Sequence, residues 1–229
     1  MKISGFVKLS TIDYPSNLAS VVFTQGCNFD CYFCHNRELI PNGEGQVQET
    51  EVLSFLTKRA KFIEGVVISG GEPCIQKDLA GFIKKIKDIK PEYKIKLDTN
   101  GSFPEVVSSL IFDDLLDYVA VDYKAPWNKY KEVCGSHADP VKIQETLSIL
   151  NRSKIGWELR TTMIPGLTEK DYSIMSEELK YRVDTYRFNR YRHVDTATEI
   201  EKQSPPIEVD KEPLLKNIYK KISDNVIIN

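Results

Sequence analysis

Three cysteines stand within eight residues of this 229-residue chain: Cys27, Cys31 and Cys34, in the spacing CxxxCxxC. Thiolates are soft ligands that suit zinc or an iron–sulfur cluster. The preceding stretch, Ser20-Val21-Val22-Phe23-Thr24-Gln25-Gly26, reads as a buried strand ending in a glycine turn. The cysteines therefore sit on a loop leaving a strand end, where a short curl brings three thiolates around one centre. A structural zinc site is normally closed by four protein ligands, and a 4Fe–4S cluster usually has four cysteines, one per iron. Three cysteines leave one iron for another ligand. A disulfide framework is disfavoured, since three is odd and the spacing is tight. A zinc site completed by His35 stays open, because ligand softness alone does not separate zinc from iron.

The rest of the chain must position this loop. Residues 1–19 read as an entry hairpin, with Ile3, Phe6 and Val7 apolar and Asp13-Tyr14-Pro15-Ser16-Asn17 a turn signal. Strands are expected at Ser20–Thr24, Gly65–Ser69, Lys94–Asp98, Tyr118–Asp122, Trp157–Met163 and Thr185–Tyr191. Helical spacing falls between them at Glu49–Lys61, Lys77–Ile89, Glu105–Phe112, Pro140–Asn151 and Glu169–Tyr181. This alternation implies an α/β fold with a parallel sheet and right-handed crossovers. Six such units are too few for a closed eight-fold barrel. Thr198–Pro206 reads as a linker and Asp210–Ile222 as a terminal helix, giving a core over 1–197 and a linker with a C-terminal helix packed on it over 198–229.

Hydrophobic content of 41% and charged content of 28% describe an ordinary globular protein. The net charge of −2 gives no general attraction to nucleic acid or membrane. No apolar run reaches spanning length, and the N-terminus lacks a signal-peptide pattern. Five cysteines, three of them in one motif, suit a reducing cytoplasm.

Ligands of parallel α/β folds bind off the carboxyl ends of the strands, so the residues there are the candidates. After the second strand comes Ser69-Gly70-Gly71-Glu72-Pro73, whose glycines let backbone approach a ligand closely. After the third comes Asp98-Thr99-Asn100-Gly101, and after the fourth Asp122-Tyr123-Lys124. Arg160 stands on the fifth, before a Pro165-Gly166 turn and a Thr168 cap, and points at a ligand or forms a structural ion pair. The sixth carries Arg187, Asn189, Arg190, Arg192 and His193. Cys74 and Cys134 fit no ligand spacing, and Trp127 and Trp157 read as packing residues.

CxxxCxxC after a first strand, with the aromatic Phe33 before the third cysteine, resembles the radical S-adenosylmethionine (SAM) superfamily. Asp13-Tyr14-Pro15, Val22-Phe23-Thr24-Gln25-Gly26-Cys27-Asn28 and Cys34-His35-Asn36 are similar to its glycyl radical enzyme-activating branch. Within that branch the wording is most similar to activating proteins of anaerobic ribonucleoside-triphosphate reductase, over about residues 1–190. The resemblance implies a partial, open (β/α)6 TIM-like barrel. It implies that Cys27, Cys31 and Cys34 hold a 4Fe–4S cluster whose open iron takes the SAM amine and carboxylate. Gly70, Gly71 and Glu72 match the segment that grips the methionine amine, and Asp98 and Thr99 match a SAM-contacting segment. Asp98 and Asp122 match aspartates that help bind a monovalent cation beside the SAM carboxylate, with Lys124 near that carboxylate. His193 matches a position that borders the adenosyl group, and His35 is expected to cap the loop rather than ligate iron.

The implied reaction is reductive cleavage of SAM to a 5′-deoxyadenosyl radical that takes hydrogen from a glycine of a partner glycyl radical enzyme. Its electron comes from a reductant such as flavodoxin or ferredoxin. No protein residue is expected to act as acid or base. Two other readings stand beside it: a radical SAM enzyme acting on a small molecule or nucleotide, and a non-enzymatic Cys3His zinc module.

Overall fold

The computed structural model describes residues 1–192 and 212–229. The expected linker at 198–206 and His193 lie outside the described residues. Strand β1 (Ile3–Ser10) runs antiparallel to β2 (Ala19–Thr24). Then β3 (Gly65–Gly70), β4 (Lys94–Thr99), β5 (Tyr118–Asp122), β6 (Gly156–Met163) and β7 (Thr185–Arg190) add in sequence order, each parallel to its predecessor. A short β8 (Val226–Ile228) extends the edge beside β7, so the sheet is open with β1 and β8 at its two edges. This is the partial TIM-like barrel expected, with six parallel strands in sequential order at its centre.

The α-helices of the described residues are α1 (Glu49–Arg59), α2 (Leu79–Ile89), α3 (Pro104–Phe112), α4 (Tyr130–Cys134), α5 (Pro140–Arg152), α6 (Glu169–Glu178) and α7 (Glu212–Tyr219). Local chemistry sets several ends. Asp139 caps α5 ahead of Pro140, and Thr168 and Asp171 form a reciprocal capping box at α6. The five-residue α4 and three-residue β8 were not expected, because segments so short complete no readable period. Helix α6 ends at Glu178 rather than Tyr181, where Leu179 turns extended.

The two sheet faces have opposite chemistry. Alternate residues such as Val22, Ile68, Leu97, Val121 and Leu159 are buried in the large core shared with the helices. The register puts Val21, Val67, Lys96, Tyr118 and Gly156 in one row on the other face. There Tyr14 joins Ala19, Val21 and Val67 in a small second core, its ring 6.0 Å from that of Tyr118. The turn bearing Tyr14 is held by Lys96, whose Nζ donates to the Asp13 carbonyl at 2.7 Å. The amino end of the inner face is thus plugged, and its carboxyl end is left for a site.

The tail packs onto this frame. Tyr219 of α7 is fully buried, its ring 4.5 Å from Tyr186 and 4.8 Å from Phe188, and its hydroxyl donates to the Tyr172 carbonyl at 3.0 Å. Tyr219→Ala should therefore cost about 3–5 kcal/mol, read from urea unfolding. A cost within experimental error would mean that the tail is not part of the cooperative unit.

Candidate functional site

The cysteine loop leaves the carboxyl end of β2 and is anchored at three places. At its neck, Gly26 N donates to Leu39 O at 2.8 Å and Cys27 N to Ile40 O at 3.1 Å. Gln25 reinforces this neck, its Nε2 donating to Glu38 O and Pro41 O at 3.0 and 2.8 Å. At its tip, Asp30 N donates to Cys134 O at 3.0 Å and Tyr32 N to Val133 O at 3.3 Å, tying the loop to α4. The Tyr32 hydroxyl donates to Pro165 O at 2.6 Å, and Arg37 Nη1 to Cys31 O at 3.0 Å. A third tie runs through Asn28, which accepts from Asn100 Nδ2 and donates to Ser102 Oγ, both at 2.9 Å.

Cys27, Cys31 and Cys34 line one cavity at the carboxyl ends of the strands. Ser69, Gly70, Gly71, Asp98, Thr99, Asn100, Asp122, Lys124, Arg160 and Thr162 line it too. Burial pushes the Cys27 thiol up to about 12 and the Cys34 thiol also upwards. Cys31 moves down instead, chiefly through a hydrogen bond with the Cys134 thiol, aided by Lys124.

The two glycines are demanded by the protein's own backbone. Gly70 sits at φ +120°, and a Cβ on Gly71 would stand 2.1 Å from the Gly26 carbonyl oxygen. Their small size lets β3 close against the start of the cysteine loop while their peptides face the cavity. Glu72 does not line the cavity. Its buried carboxylate accepts from Cys74 N at 3.0 Å, Thr99 Oγ1 at 2.8 Å and Asn100 N at 2.6 Å, bracing the ends of β3 and β4. Burial raises its pKa and these bonds oppose the rise.

A chain of ion pairs crosses the inner face. Lys96 Nζ lies 2.8 Å from Asp98 Oδ1 and 3.8 Å from Glu158. Arg160 Nη1 is 2.7 Å from Asp98 Oδ2, and its Nε 3.1 Å from Asp122 Oδ1. Lys124 Nζ is 2.9 Å from Asp122 Oδ2 and 5.7 Å from the centre of the Phe33 ring. Arg187 pairs with Glu158 at 3.3 Å. Ala120 shares a register row with Asp98 and Glu158, and its small side chain leaves room for the long cations. Burial alone would raise both aspartates. Arg160 and Lys96 outweigh it at Asp98, and Lys124 and Arg160 hold Asp122 down to about 2. Burial would lower Lys124, but Asp122 keeps it well above its ordinary value.

The structure thus gathers Gly70, Gly71, Asp98, Thr99, Asp122, Lys124 and the three cysteines around one space and leaves Glu72 behind it. Arg160 forms the ion pairs expected of one of its two readings, and it also lines the cavity. His35 is exposed, its ring packed against Tyr191 with centres 5.4 Å apart. Sequence reasoning missed the contacts of Gln25, Asn28, Ser102 and Cys134 with the loop, which join residues far apart in the chain. Thr162 was also missed, although its alternation with Arg160 on β6 was a usable signal.

All five cysteines are free. Among the described residues, no group of three or more His, Cys, Asp or Glu side chains closes around a single metal ion. Three thiols spread around one cavity fit a cluster, where each cysteine binds a different iron, better than a mononuclear cage.

Comparison with known proteins agrees. A sequence model of the Radical SAM superfamily matches residues 21–179. A Methanocaldococcus jannaschii protein named "Putative glycyl-radical enzyme activating enzyme" is 35% identical over 99% of this chain and 95% of its own length. The GTP 3',8-cyclase of Aliarcobacter butzleri is 28% identical over 82% of this chain and 57% of its own. In three dimensions, Streptococcus suis SuiB bound to S-adenosylmethionine superposes with a TM-score of 0.68 at 15% identity, over 90% of this chain and 48% of SuiB. QueE from Escherichia coli gives a TM-score of 0.55 at 14% identity, over 99% of this chain and 92% of QueE. The radical SAM match and the full-length relative together establish that this chain belongs to the radical SAM superfamily, on its glycyl-radical-enzyme-activating branch.

Proposed function

We propose that Cys27, Cys31 and Cys34 hold a 4Fe–4S cluster, that SAM binds in the same cavity, and that the target is a glycine of anaerobic ribonucleoside-triphosphate reductase. The observation that carries this reading is the sharing of one cavity by three free thiols, glycine backbone and fixed cations. With the cluster bound, one electron splits the S–C5′ bond of SAM, giving methionine and a 5′-deoxyadenosyl radical that takes hydrogen from a peptide glycine.

The chain's own groups bind and orient. Lys124 offers a point charge to the SAM carboxylate, and the peptides of Gly70 and Gly71 face the methionine end. Thr99 and Asp98 flank it, while Glu72 acts behind them as a positioning residue. His193 at the adenosyl group remains part of the proposal. Asp98, Asp122, Lys124 and Arg160 are mutually paired, an arrangement suited to chemistry that needs no general base. The name of the full-length M. jannaschii relative supports a glycyl radical enzyme as partner. A flavodoxin or ferredoxin as reductant, a cytoplasmic setting, and a 1–197 core with a 198–229 tail complete the proposal. No helix of the described residues is long and apolar enough to cross a membrane.

A second reading, a nucleotide substrate, draws on the GTP 3',8-cyclase relatives and on a groove lined by Arg187, Asn189, Arg190 and Arg192.

Anaerobic reconstitution, reduction and addition of SAM should give about four irons per chain and release 5′-deoxyadenosine. One zinc and no cleavage would overturn the reading. Adding the reductase should produce a glycyl radical by electron paramagnetic resonance. Its absence, with a nucleotide raising deoxyadenosine release, would favour the second reading. Cys31→Ala should abolish iron loading, and Lys124→Ala should weaken SAM binding roughly tenfold; unchanged affinity would remove that lysine from the site.

Loading should also depend on pH. Cys27 and Cys34 are protonated in the metal-free protein, and ligation displaces those protons. Iron uptake should therefore strengthen from about pH 7 to about pH 9 with release of acid. A flat profile would count against these buried thiols as ligands.

A further inference from the structure

Two aspartates in this site match positions that help bind a monovalent cation in related activating enzymes. In this chain each of their oxygens lies at ion-pair distance from a nitrogen cation, Asp98 Oδ1 without accepting a hydrogen bond. Asp98 Oδ1 faces Lys96 at 2.8 Å and Oδ2 faces Arg160 at 2.7 Å. Asp122 Oδ1 faces Arg160 at 3.1 Å and Oδ2 faces Lys124 at 2.9 Å. A hard cation is held by oxygen ligands, and here all four carboxylate oxygens lie beside nitrogen cations. The guanidinium of Arg160 bridges the two carboxylates, where a shared ion would have to sit.

We infer that Arg160 replaces the monovalent cation: the chain carries its counter-ion covalently, and SAM binding is independent of potassium and sodium. Each aspartate already faces two cations, Asp98 with Lys96 and Arg160 and Asp122 with Arg160 and Lys124, so the bridging charge that a metal ion would supply is present. The charge is also permanent, since a guanidinium does not deprotonate in proteins. Burial alone would weaken it, but Asp98 and Asp122 drive its pKa higher still. Its place is fixed by β6, where Arg160 lies in register with Asp122 on one side and Arg187 on the other. Arg160 is thus a positioning residue for the carboxylate end of SAM. The inference rests on the reading that this cavity binds SAM.

The test is equilibrium dialysis of labelled SAM against reconstituted holoenzyme, in tetramethylammonium buffer and in potassium or sodium buffer. Wild-type affinity should agree within about twofold between buffers, and Arg160→Gln should bind roughly tenfold more weakly without alkali cations. Saturating potassium should restore the Arg160→Gln variant, because its vacated carboxylates become a cation site. Arg160→Lys should stay insensitive to potassium. A wild-type affinity that falls when alkali cations are withdrawn would overturn the inference while leaving the SAM site intact, and this arm needs no variant to fold. An Arg160→Gln protein that potassium does not restore would overturn it as well. Failure of the wild type to bind SAM in any buffer would instead sink the parent reading.

Discussion

The structure depends most on the burial of opposite charges along the inner face of its sheet. Taking a carboxylate or a guanidinium out of water is expensive, and its partner must repay most of the cost. Lys96, Asp98, Arg160, Asp122 and Lys124 do so in a continuous series, each cation beside a carboxylate. The arrangement constrains its neighbours. Ala120 must be small, the amino end must be sealed by Tyr14 and its apolar companions, and the helices must cover the other face. Removing one member would leave the next uncompensated, so the set behaves as a unit.

A second system, the cysteine loop, is suspended above the first. The two meet at Lys124, which pairs with Asp122 and lies over the Phe33 ring. They meet again at Asn100, which follows the β4 threonine and bonds Asn28 between the first two cysteines. Electrostatic and metal-binding parts are thus registered to one another through short polar ties, and the cavity is the space left between them.

The alternation of strand and helix signals was enough to read a parallel sheet with right-handed crossovers, and the resemblance added the barrel-like strand order. CxxxCxxC and the residues after β3, β4 and β5 named most of the cavity lining. What escaped depends on distance. Cys134 fits no ligand spacing, yet its carbonyl holds the loop tip, a contact made across more than a hundred residues. Glu72 looks like a ligand-binding acid beside two glycines, but its carboxylate turns inward to three donors at the strand ends. The donors on Thr99 and Asn100 become visible only once β3 and β4 are adjacent. The bridging of Asp98 and Asp122 by Arg160 likewise requires the register of three strands.

The anchoring of the loop tip bears on how freely this chain can drift over evolutionary time. Its two ties to α4 run to the main-chain carbonyls of Val133 and Cys134. A carbonyl is supplied by every residue type, so these two ties set no demand on side chains, although Cys134 also offers its thiol to Cys31. What they constrain is the path of the backbone, including Gly135, which turns away at φ +93°. Selection can therefore rewrite the exposed side chains of α4, Lys131 and Glu132, while the geometry of the loop is inherited unchanged.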